Sequence, residues 1–579
     1  MKFLELAKTF DELEAISGRT EITKKLAHLL KTASWQEAAI ICYISLGELR
    51  PPYEGTQFNL AEKSLIKVVS DLLGYTQEEI KKELAKISDL GQLIGNYNWH
   101  PKEDLSIIDV YKELETLENI SGGKSQEEKA AVVKKLLKDL DPISAKYVLR
   151  IILGKIRIGF SDMTIIDALS WMQEGDKSLR HKLEDAYNRC ADIGYIAKIL
   201  KKDGIEAIEK MGCIVGIPIR PAAAERLPTA EAIVEKLGDC IAQPKLDGFR
   251  LQIHVDKTKS KPMVKFFSRN LKDMSDMFPD LVDAVLQLNV ETLICEGEAV
   301  AYDPNTGQFE PFQITVKRKR KHDIEEMAVD LPLKVFIFDL LYLNGREYLA
   351  DTHEERRTKL LSIFKSVKDD KIQAIDEVKI KTGQQLLDYF NSMIGQGLEG
   401  VVVKRPDAIY TPGKRNFNWI KLKRQEKGHL EDTLDCVVLG YYYGKGKRAS
   451  FGIGAFLVGI YNDRQDAFET VAKIGTGLKD QEWKELKKKC DSISIGKRPH
   501  NVECSKELYP DVWVNPEIVC QIRADEITRS PLHTADKTEK HLGLALRFPR
   551  IMGYRSDKSA FDATTAKELT RLFEDQKKK

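Results

Sequence analysis

The sequence lacks several features that define large classes of proteins. Its nine cysteines are scattered through 579 residues and form no C-x-x-C pair, which excludes a zinc ribbon and a disulfide framework. No apolar run is long enough to cross a membrane. Charge of one sign is not in excess, because 91 Lys and Arg stand against 89 Asp and Glu and leave a net charge of +2. Taken alone, this balance argues weakly against a polyanionic partner.

The composition that is present is that of a folded globular protein. Hydrophobic residues make up 42% and charged residues 31% of the chain. At roughly 150 residues per domain, the length predicts about four domains, or fewer larger ones. The N-terminus MKFLELAKTFDELEAI is an amphipathic helix pattern and not a signal peptide. We therefore expect an intracellular protein, cytoplasmic and nucleoid-associated in a prokaryote or nuclear in a eukaryote.

The hydrophobic pattern divides the chain into three parts. Residues 1–216 show helical spacing of apolar residues, for example at 61–75, 110–120 and 128–140, which predicts an all-α domain. A Pro-rich linker follows at 216–228. The period then changes to two, with helical patterns in between, which predicts an α+β domain over 217–428. Short strands separated by turns predict a small β-barrel over 429–579.

The motif Gln243-Pro-Lys245-Leu-Asp247-Gly248-Phe-Arg250 is the sharpest chemical signal. It places a lysine in a turn that leads into an alternating strand. Such a lysine can act as a nucleophile if partial burial or nearby cations make its amine easy to deprotonate. Gly248 would let the backbone approach a ligand closely. Taken alone, K-x-D-G also fits a solvated lysine at a strand end.

Two further pairs of like charge each share a strand face. Lys421 and Lys423 are two residues apart, which suits the clamping of a triphosphate but also fits an exposed polar face. Glu296 and Glu298 are spaced in the same way, which is costly unless a cation or an arginine lies nearby. Phe338 lies on a predicted core strand, where packing is the default role.

Six further motifs follow Lys245 along the chain. After Lys245 come Ser268-Arg269-Asn270, Glu296-Gly-Glu298, Phe336-Ile-Phe338-Asp339, Leu398-Glu399-Gly400, Trp419-Ile-Lys421-Leu-Lys423 and Arg547-Phe-Pro-Arg550. Together they resemble the covalent nucleotidyltransferase superfamily of DNA ligases, RNA ligases and mRNA capping enzymes. The chain is most similar to the archaeal and eukaryotic replicative type of ATP-dependent DNA ligase. Those enzymes have a helical DNA-binding domain, an adenylation (nucleotidyltransferase) domain and an OB-fold domain, in the order found above.

The resemblance implies an enzyme that uses ATP and Mg²⁺ to seal nicks in duplex DNA. A lysyl-AMP would form on Lys245, the AMP would pass to the 5′-phosphate, and the 3′-hydroxyl would then expel it. Replication, repair, recombination and cell division are the processes implied. No zinc-binding cysteine cluster or nicotinamide domain of an NAD⁺-dependent ligase is visible, which favours ATP and leaves ADP and GTP open.

The resemblance also implies roles for individual residues. The nucleotide would be bound by Gln243, Arg250, Arg269, Glu298, Phe338, Lys421, Lys423, Arg547 and Arg550. Phe338 would stack on adenine, and the last two arginines would orient pyrophosphate. Glu298 and Glu399 would hold Mg²⁺, because a hard cation prefers carboxylate and phosphate oxygens. DNA contacts are expected from Lys155, Arg157, Gly159 and Arg220.

Two other functions share parts of this pattern. An RNA ligase or capping-type enzyme would share Lys245 and its motifs but would lack the helical domain. A non-catalytic DNA-binding scaffold would form no covalent adenylate. We expect a monomer that closes around nicked DNA. Clamp recruitment is doubtful, because the segment GNYNWHPKEDLS at 95–106 lacks the glutamine-anchored aromatic motif of archaeal relatives.

Overall fold

The computed structural model describes residues 1–16, 18–87, 89–158, 161–227, 229–303, 308–310, 312–318, 324–365, 367, 369–423, 433–444, 448 and 451–578. The chain divides into two compact units, residues 1–424 and 425–579. The boundary predicted between 428 and 429 lies outside the described residues. No described helix is long and apolar enough to span a membrane.

The described part of residues 1–216 is built from helices, as predicted. The expected helices at 61–75, 110–120 and 128–140 correspond to the fourth, seventh and eighth of the following elements. These are α1 (Phe3–Ala15), α2 (Arg19–Thr32), α3 (Trp35–Ser45), α4 (Glu62–Leu73), α5 (Gln77–Ile87), α6 (Leu90–Gly95), α7 (Ile107–Asn119), α8 (Ser125–Asp139), α9 (Pro142–Ile152), α10 (Asp162–Glu174), α11 (Arg180–Arg189), α12 (Ile193–Asp203) and α13 (Ile205–Glu209).

Local sequence signals fix several helix ends in this region. Ser34 and Glu37 form a capping box at the start of α3, which satisfies backbone N–H groups that the helix leaves free. Leucine and isoleucine side chains from most of the helices form one core. A charged group also lies within it, because Arg150 of α9 is 2% exposed and pairs with Glu14 and Asp89.

The mixed region holds two sheets. Its strands are β1 (Ala223–Arg226), β2 (Cys240–Lys245), β3 (Phe249–Asp256), β4 (Met263–Ser268), β5 (Thr292–Ala301), β6 (Leu333–Leu343), β7 (Arg346–Glu347), β8 (Ile372–Ala374), β9 (Val378–Ile380), β10 (Gly400–Lys404) and β11 (Arg415–Lys423). One sheet has the order β1-β11-β10-β2-β9, and the other has β4-β3-β5-β6-β7 with β8 beside β6. The helices are α14 (Ala230–Leu237), α15 (Pro279–Leu286), α16 (Phe312–Thr315), α17 (Ile324–Asp330), α18 (His353–Phe364) and α19 (Gly383–Gly395).

The predicted linker at 216–228 begins in a turn, where Gly216 has φ of 100°. Its second part forms β1, which pairs in parallel with β11, so the linker prediction was wrong there. A four-residue strand is too short for its alternation to be recognised. Side chains of β3 hold the remainder: Gln252 exchanges hydrogen bonds of 2.7 and 2.9 Å with Ile219, and Nδ1 of His254 accepts from the Gly216 N–H at 3.0 Å.

The second unit is rich in strands, as expected for an OB-fold domain. They are β12 (Leu434–Tyr442), β13 (Ala455–Asn462), β14 (Ala467–Ile474), β15 (Ser494–Ile495), β16 (Val502–Glu503), β17 (Val512–Val514), β18 (Val519–Arg523), β19 (Glu526–Ser530), β20 (Gly543–Arg547) and β21 (Arg550–Tyr554). The sequence pattern did not predict the two helices α20 (Asp480–Ser492) and α21 (Ala566–Lys578). Short 3₁₀ helices also lie at Ser275–Met277, Val316–Arg318, Lys506–Leu508 and Ala560–Asp562.

Candidate active site

One face of the sheet β1-β11-β10-β2-β9 carries the predicted nucleophile. Lys245 ends β2 and Lys423 ends β11, and both are cross-strand neighbours of Gly400 in β10. Gln243 and Lys421 occupy the positions two residues earlier on the same strands. Because side chains alternate along a strand with a period of two, these two lie on the same face as Lys245 and Lys423.

Glu399, immediately before β10, joins two of these lysines. Its Oε2 atom contacts Nζ of Lys245 and lies 3.0 Å from Nζ of Lys423. The N–H of Glu399 also donates to the carbonyl oxygen of Lys245 at 3.1 Å. Burial by itself would raise the pKa of Glu399, but the two lysines hold it below its ordinary value. The Oε1 atom accepts no hydrogen bond from a described residue.

Glu298 of β5 belongs to the other sheet but lies within electrostatic reach of Lys245. Its carboxylate makes no hydrogen bond or ion pair with a described residue. Burial raises the pKa of Glu298 to about 7, against the attraction of Lys245 and Arg250, and the charges of Glu399 and Asp247 add to the rise. A carboxylate in this position gains from a cation or a hydroxyl group beside it.

This donor set fits Mg²⁺. Mg²⁺ commonly binds through one or two carboxylates and completes its coordination with phosphate oxygens and water. Glu298 and Glu399 each have a carboxylate oxygen without a described partner, close to cations that suit phosphate. In the described ranges no group of three or more His, Cys, Asp or Glu side chains could hold a metal by itself. Nucleotide phosphates would therefore have to supply the other ligands.

Arg250 resolves the repulsion expected between the two glutamates of β5. Glu296 is fully buried and accepts hydrogen bonds from Arg250 at 2.6 Å, from the Tyr410 hydroxyl at 2.8 Å and from Gln252 at 3.2 Å. The guanidinium of Arg250 also donates to the carbonyl oxygen of Ala222 at 2.7 Å. A buried ion pair is tolerated when its remaining polar atoms are satisfied in this way. One atom of the pair is an exception, because Nε of Arg250 has no hydrogen-bond partner among the described residues.

Phe338 of β6 is packed against cations and a second aromatic ring. Its centroid lies 5.3 Å from Cζ of Arg250 and 5.1 Å from Nζ of Lys404. Trp419 meets it edge to face at 6.0 Å between ring centroids. Such cation–π contacts fix the orientation of the ring. Because Phe338 is only partly buried, some of its surface remains accessible to a ligand.

Lys404 is a site residue to which sequence reasoning gave no role. It ends β10, is 1% exposed, and donates from Nζ to the carbonyl oxygen of Phe338 at 3.0 Å. Burial lowers the pKa of Lys404 to about 8, although Asp339, 3.7 Å away, opposes this shift. Asp339 is itself held by two hydrogen bonds from Arg356, at 2.7 and 3.1 Å. In the sequence, the one indication of a role for Lys404 is that this lysine ends a predicted apolar strand.

The open side of the lysine face is strongly positive. Burial, followed by the charges of Lys423, Arg415, Lys245 and Arg269, lowers the pKa of Lys421. Arg269 itself is exposed. Glu399 compensates Lys245 and Lys423 in part, and an anion such as a polyphosphate would stabilise the cluster further.

The two arginines of the last motif lie on either side of a short bend between β20 and β21 in the second unit. Arg547 ends β20 and donates to Glu526 at 2.5 Å, while Arg550 begins β21 and donates to Asp525 at 2.8 Å. Phe548 between them has φ of 50°, which is unusual for an aromatic residue, and is 57% exposed. The role of both arginines toward pyrophosphate stays a prediction.

The residues predicted to contact DNA in the helical region lie in and near the turn after α9. Lys155 is exposed. Arg157 has φ of 60°, and its Nε lies 3.3 Å from Asp89. Gly159 lies outside the described residues. Their contact with DNA stays a prediction.

Arg220 joins the helical region to the mixed region. Its guanidinium donates to Asn188 at 3.3 Å and lies 5.2 Å from the Tyr187 ring centroid. Its carbonyl oxygen accepts from the N–H of Gly413 at 2.8 Å. These contacts give Arg220 a structural role that does not involve DNA. Its predicted contact with DNA remains untested.

Three family models match successive parts of the chain. A DNA ligase N-terminus model matches residues 2–170, an ATP dependent DNA ligase domain model matches 221–423, and an ATP dependent DNA ligase C-terminal region model matches 449–558.

Curated relatives match over the full length. A "Probable DNA ligase" of Dictyoglomus turgidum is 45% identical over 580 residues, which are 100% of this chain and 98% of the relative. A "DNA ligase" of Saccharolobus solfataricus is 38% identical and covers the same shares of each chain. A solved structure described as "Pmar-Lig_PreS3" is similar in fold, with a TM-score of 0.54, 16% identity and coverage of 95% of this chain and 99% of that one.

Proposed function

The chain belongs to the ATP-dependent DNA ligase family, and on this premise we propose that Lys245 is the nucleophile that carries AMP. The family uses ATP, typically with Mg²⁺, and seals nicks in DNA, with replication and repair as typical roles. The observation that carries the proposal is the contact between Lys245 and Glu399 on a sheet face that also bears Lys421 and Lys423.

In the first step Nζ of Lys245 forms a bond to the α-phosphorus of ATP. The bond from that phosphorus to the pyrophosphate oxygen breaks, and one proton leaves Nζ for solvent as the N–P bond forms. Because an ammonium has no lone pair, another proton has to leave Nζ before the attack. Glu399 is the nearest acceptor for this proton, because it already contacts Nζ. Lys421, Lys423 and Arg269 neutralise the phosphates and the leaving pyrophosphate.

The remaining site residues bind the nucleotide. Phe338 offers an aromatic face to adenine, and Arg250 holds that ring in place from within the protein. Mg²⁺ held by Glu298 and Glu399 would neutralise phosphate oxygens as charge shifts during transfer. In the second unit, Arg547 and Arg550 are proposed to orient pyrophosphate.

The later steps require DNA. The 5′-phosphate of the nick attacks the lysyl-AMP phosphorus and frees Lys245, and the 3′-hydroxyl then attacks the 5′-phosphorus and expels AMP. Lys155, Arg157 and Gly159 are proposed to contact the phosphate backbone, with Arg220 a weaker candidate. Such contacts carry no sequence information, as a nick-sealing enzyme requires.

Peptide mapping tests the assignment of Lys245. The protein is incubated with ATP and Mg²⁺, digested, and searched by tandem mass spectrometry for a lysine that carries AMP. We expect the adduct on Lys245 and its loss when pyrophosphate is added. An adduct on another lysine would overturn the assignment.

We further propose that the protein acts as a monomer, with domains at 1–216, 217–428 and 429–579, and without the usual clamp motif. The aromatic residues of segment 95–106 support the last point. Trp99 donates to the carbonyl oxygen of Leu140 at 2.8 Å, and the Tyr97 hydroxyl donates to Glu83 at 2.7 Å. Both side chains are therefore engaged within the helical region.

A further inference from the structure

The side-chain amide of Gln243 is held in one orientation. Gln243 is 2% exposed and lies two residues before Lys245 on the same sheet face. Its Nε2 donates to Oε2 of Glu377 at 3.0 Å. Since a carboxylate can only accept hydrogen bonds, the NH₂ end of the amide must point toward Glu377. The carbonyl oxygen therefore points away from Glu377, and it accepts no hydrogen bond from a described residue.

Glu377 is itself fixed by the first turn of α18. Nε2 of His353 lies 3.3 Å from Oε2 of Glu377, and Nε of Arg357 lies 3.5 Å from Oε1. The two helix residues are four apart, so they project from one side of the helix. Burial by itself would raise the pKa of Glu377, but the His353, Arg357 and Gln243 contacts lower it to about 2. Glu377 is thus an ionised acceptor at neutral pH.

We propose that Glu377 is a positioning residue that sets the base preference of the nucleotide site by holding the carbonyl oxygen of Gln243 toward the base. This inference rests on the proposed function, because it takes the Lys245 face as the nucleotide site. A fixed carbonyl oxygen accepts a hydrogen bond from the 6-amino group of adenine. It repels the 6-oxo group of hypoxanthine or guanine, which is also an acceptor.

Inosine triphosphate provides the comparison, because its base carries an oxygen where adenine carries an amino group. The readout is the ratio of kcat/KM for ATP to that for inosine triphosphate in formation of the covalent nucleotide adduct. We expect the wild-type protein to favour ATP by about 10- to 100-fold, the discrimination that one buried polar contact supplies.

The variant Glu377→Gln removes the fixed acceptor. Arg357 can only donate, so the oxygen of the introduced amide is favoured on the Arg357 side. On the other side His353 can change tautomer and present Nε2 as an acceptor, so the NH₂ group of the introduced amide faces both His353 and Gln243. The Gln243 amide then turns over and presents its own NH₂ group to the base. We expect the preference for ATP to fall about tenfold or more.

The double variant Gln243→Glu with Glu377→Gln tests orientation separately from structural support. A carboxylate at position 243 accepts from the new amide and still presents an oxygen to the base, whichever way it is turned. We expect the ATP preference to return to within about threefold of wild type. A purely structural role for Glu377 predicts no such rescue.

Glu354→Gln is the matched control. Glu354 also connects α18 to β9, through Lys379 at 3.2 Å, but both side chains are exposed. It should leave the ratio unchanged. If Glu377→Gln forms the adduct with the wild-type ratio, or if the double variant fails to recover ATP preference, the inference is overturned. Failure of the wild-type protein to form any adduct would instead overturn the proposed function.

Discussion

Buried ion pairs hold the residues around Lys245 in place. Glu296 fixes Arg250, which lies against Phe338, and Asp339 fixes Arg356. Glu296, Asp339 and Arg356 are buried and the Arg250 side chain is only 14% exposed, so the loss of one partner leaves a largely buried charge without compensation. The order of the site thus depends on the buried carboxylates Glu296 and Asp339.

The Asp339–Arg356 pair gives a direct test at this scale. Asp339→Asn should lower the free energy of unfolding by about 3 to 5 kcal/mol, because Arg356 would remain buried and unpaired. Asp370 pairs with Lys334 at 3.0 Å but is 74% exposed, so Asp370→Asn should cost less than about 1 kcal/mol. Denaturant unfolding of both variants checks the difference, and equal costs would contradict the account.

His254 gives a prediction about pH. Burial lowers the pKa of His254 from 6.5 to about 3, so it is neutral while its Nδ1 accepts from Gly216. Between these two values the unfolded chain binds more protons than the folded chain. The free energy of unfolding should therefore rise with pH across this window, with His254 contributing up to about 1.4 kcal/mol per pH unit.

The variant His254→Gln isolates this contribution, because glutamine does not titrate. Urea unfolding at pH 4.5, 5.5 and 6.5 should show a shallower dependence on pH for the variant than for wild type. Identical slopes would show that His254 is accessible to protons in the folded state.

At the scale of elements, the close packing of the β2–β3 turn on β5 depends on Gly248. A Cβ atom there would lie 2.2 Å from the carbonyl oxygen of Ala299, so the glycine serves contact within the protein, whereas the sequence suggested contact with a ligand. Lys245 ends the preceding strand, and a shifted turn would displace it from Glu399.

We therefore expect Gly248→Ala to cost about 1 to 3 kcal/mol of stability and to reduce adduct formation on Lys245. Gly395 at the end of α19 is the matched control, because a Cβ atom there meets nothing within 4 Å. Gly395→Ala should be neutral or stabilising by up to about 1 kcal/mol. Thermal unfolding and adduct formation check both variants, and tolerance of Gly248→Ala would refute the packing argument.

Alternation and helical spacing predicted the long elements well. The period of two predicted within 217–428 corresponds to long strands such as β3, β4 and β6. Short strands such as β1 and β9 were not predicted, because three or four residues are too few to show a period of two. The contacts of Glu377 and Lys404 were not predicted either, because they join distant parts of the chain. Gln243 and Glu377, for example, are 134 residues apart. No local pattern encodes such a contact.

At the scale of the whole molecule, the net charge of +2 does not exclude a polyanionic partner. The positive charge that matters is local, as on the face that bears Lys245, Lys421 and Lys423. Acidic side chains elsewhere cancel it, so long-range attraction to DNA is small.

Binding should therefore be weak and sensitive to salt on intact duplex, and tighter on nicked duplex, where the site engages the ends. Fluorescence anisotropy with the two duplexes at several salt concentrations checks this expectation. Equal affinity for both would contradict it.

The most direct test of the central claim is sealing by the variant Lys245→Ala with two substrates. One is an ordinary nicked duplex supplied with ATP and Mg²⁺, and the other is a nicked duplex whose 5′-phosphate already carries AMP. If Lys245 is the nucleophile, the variant fails on the first substrate and still seals the second, because only the first needs a lysyl-AMP. Sealing of the ordinary nick at the wild-type rate would contradict the account.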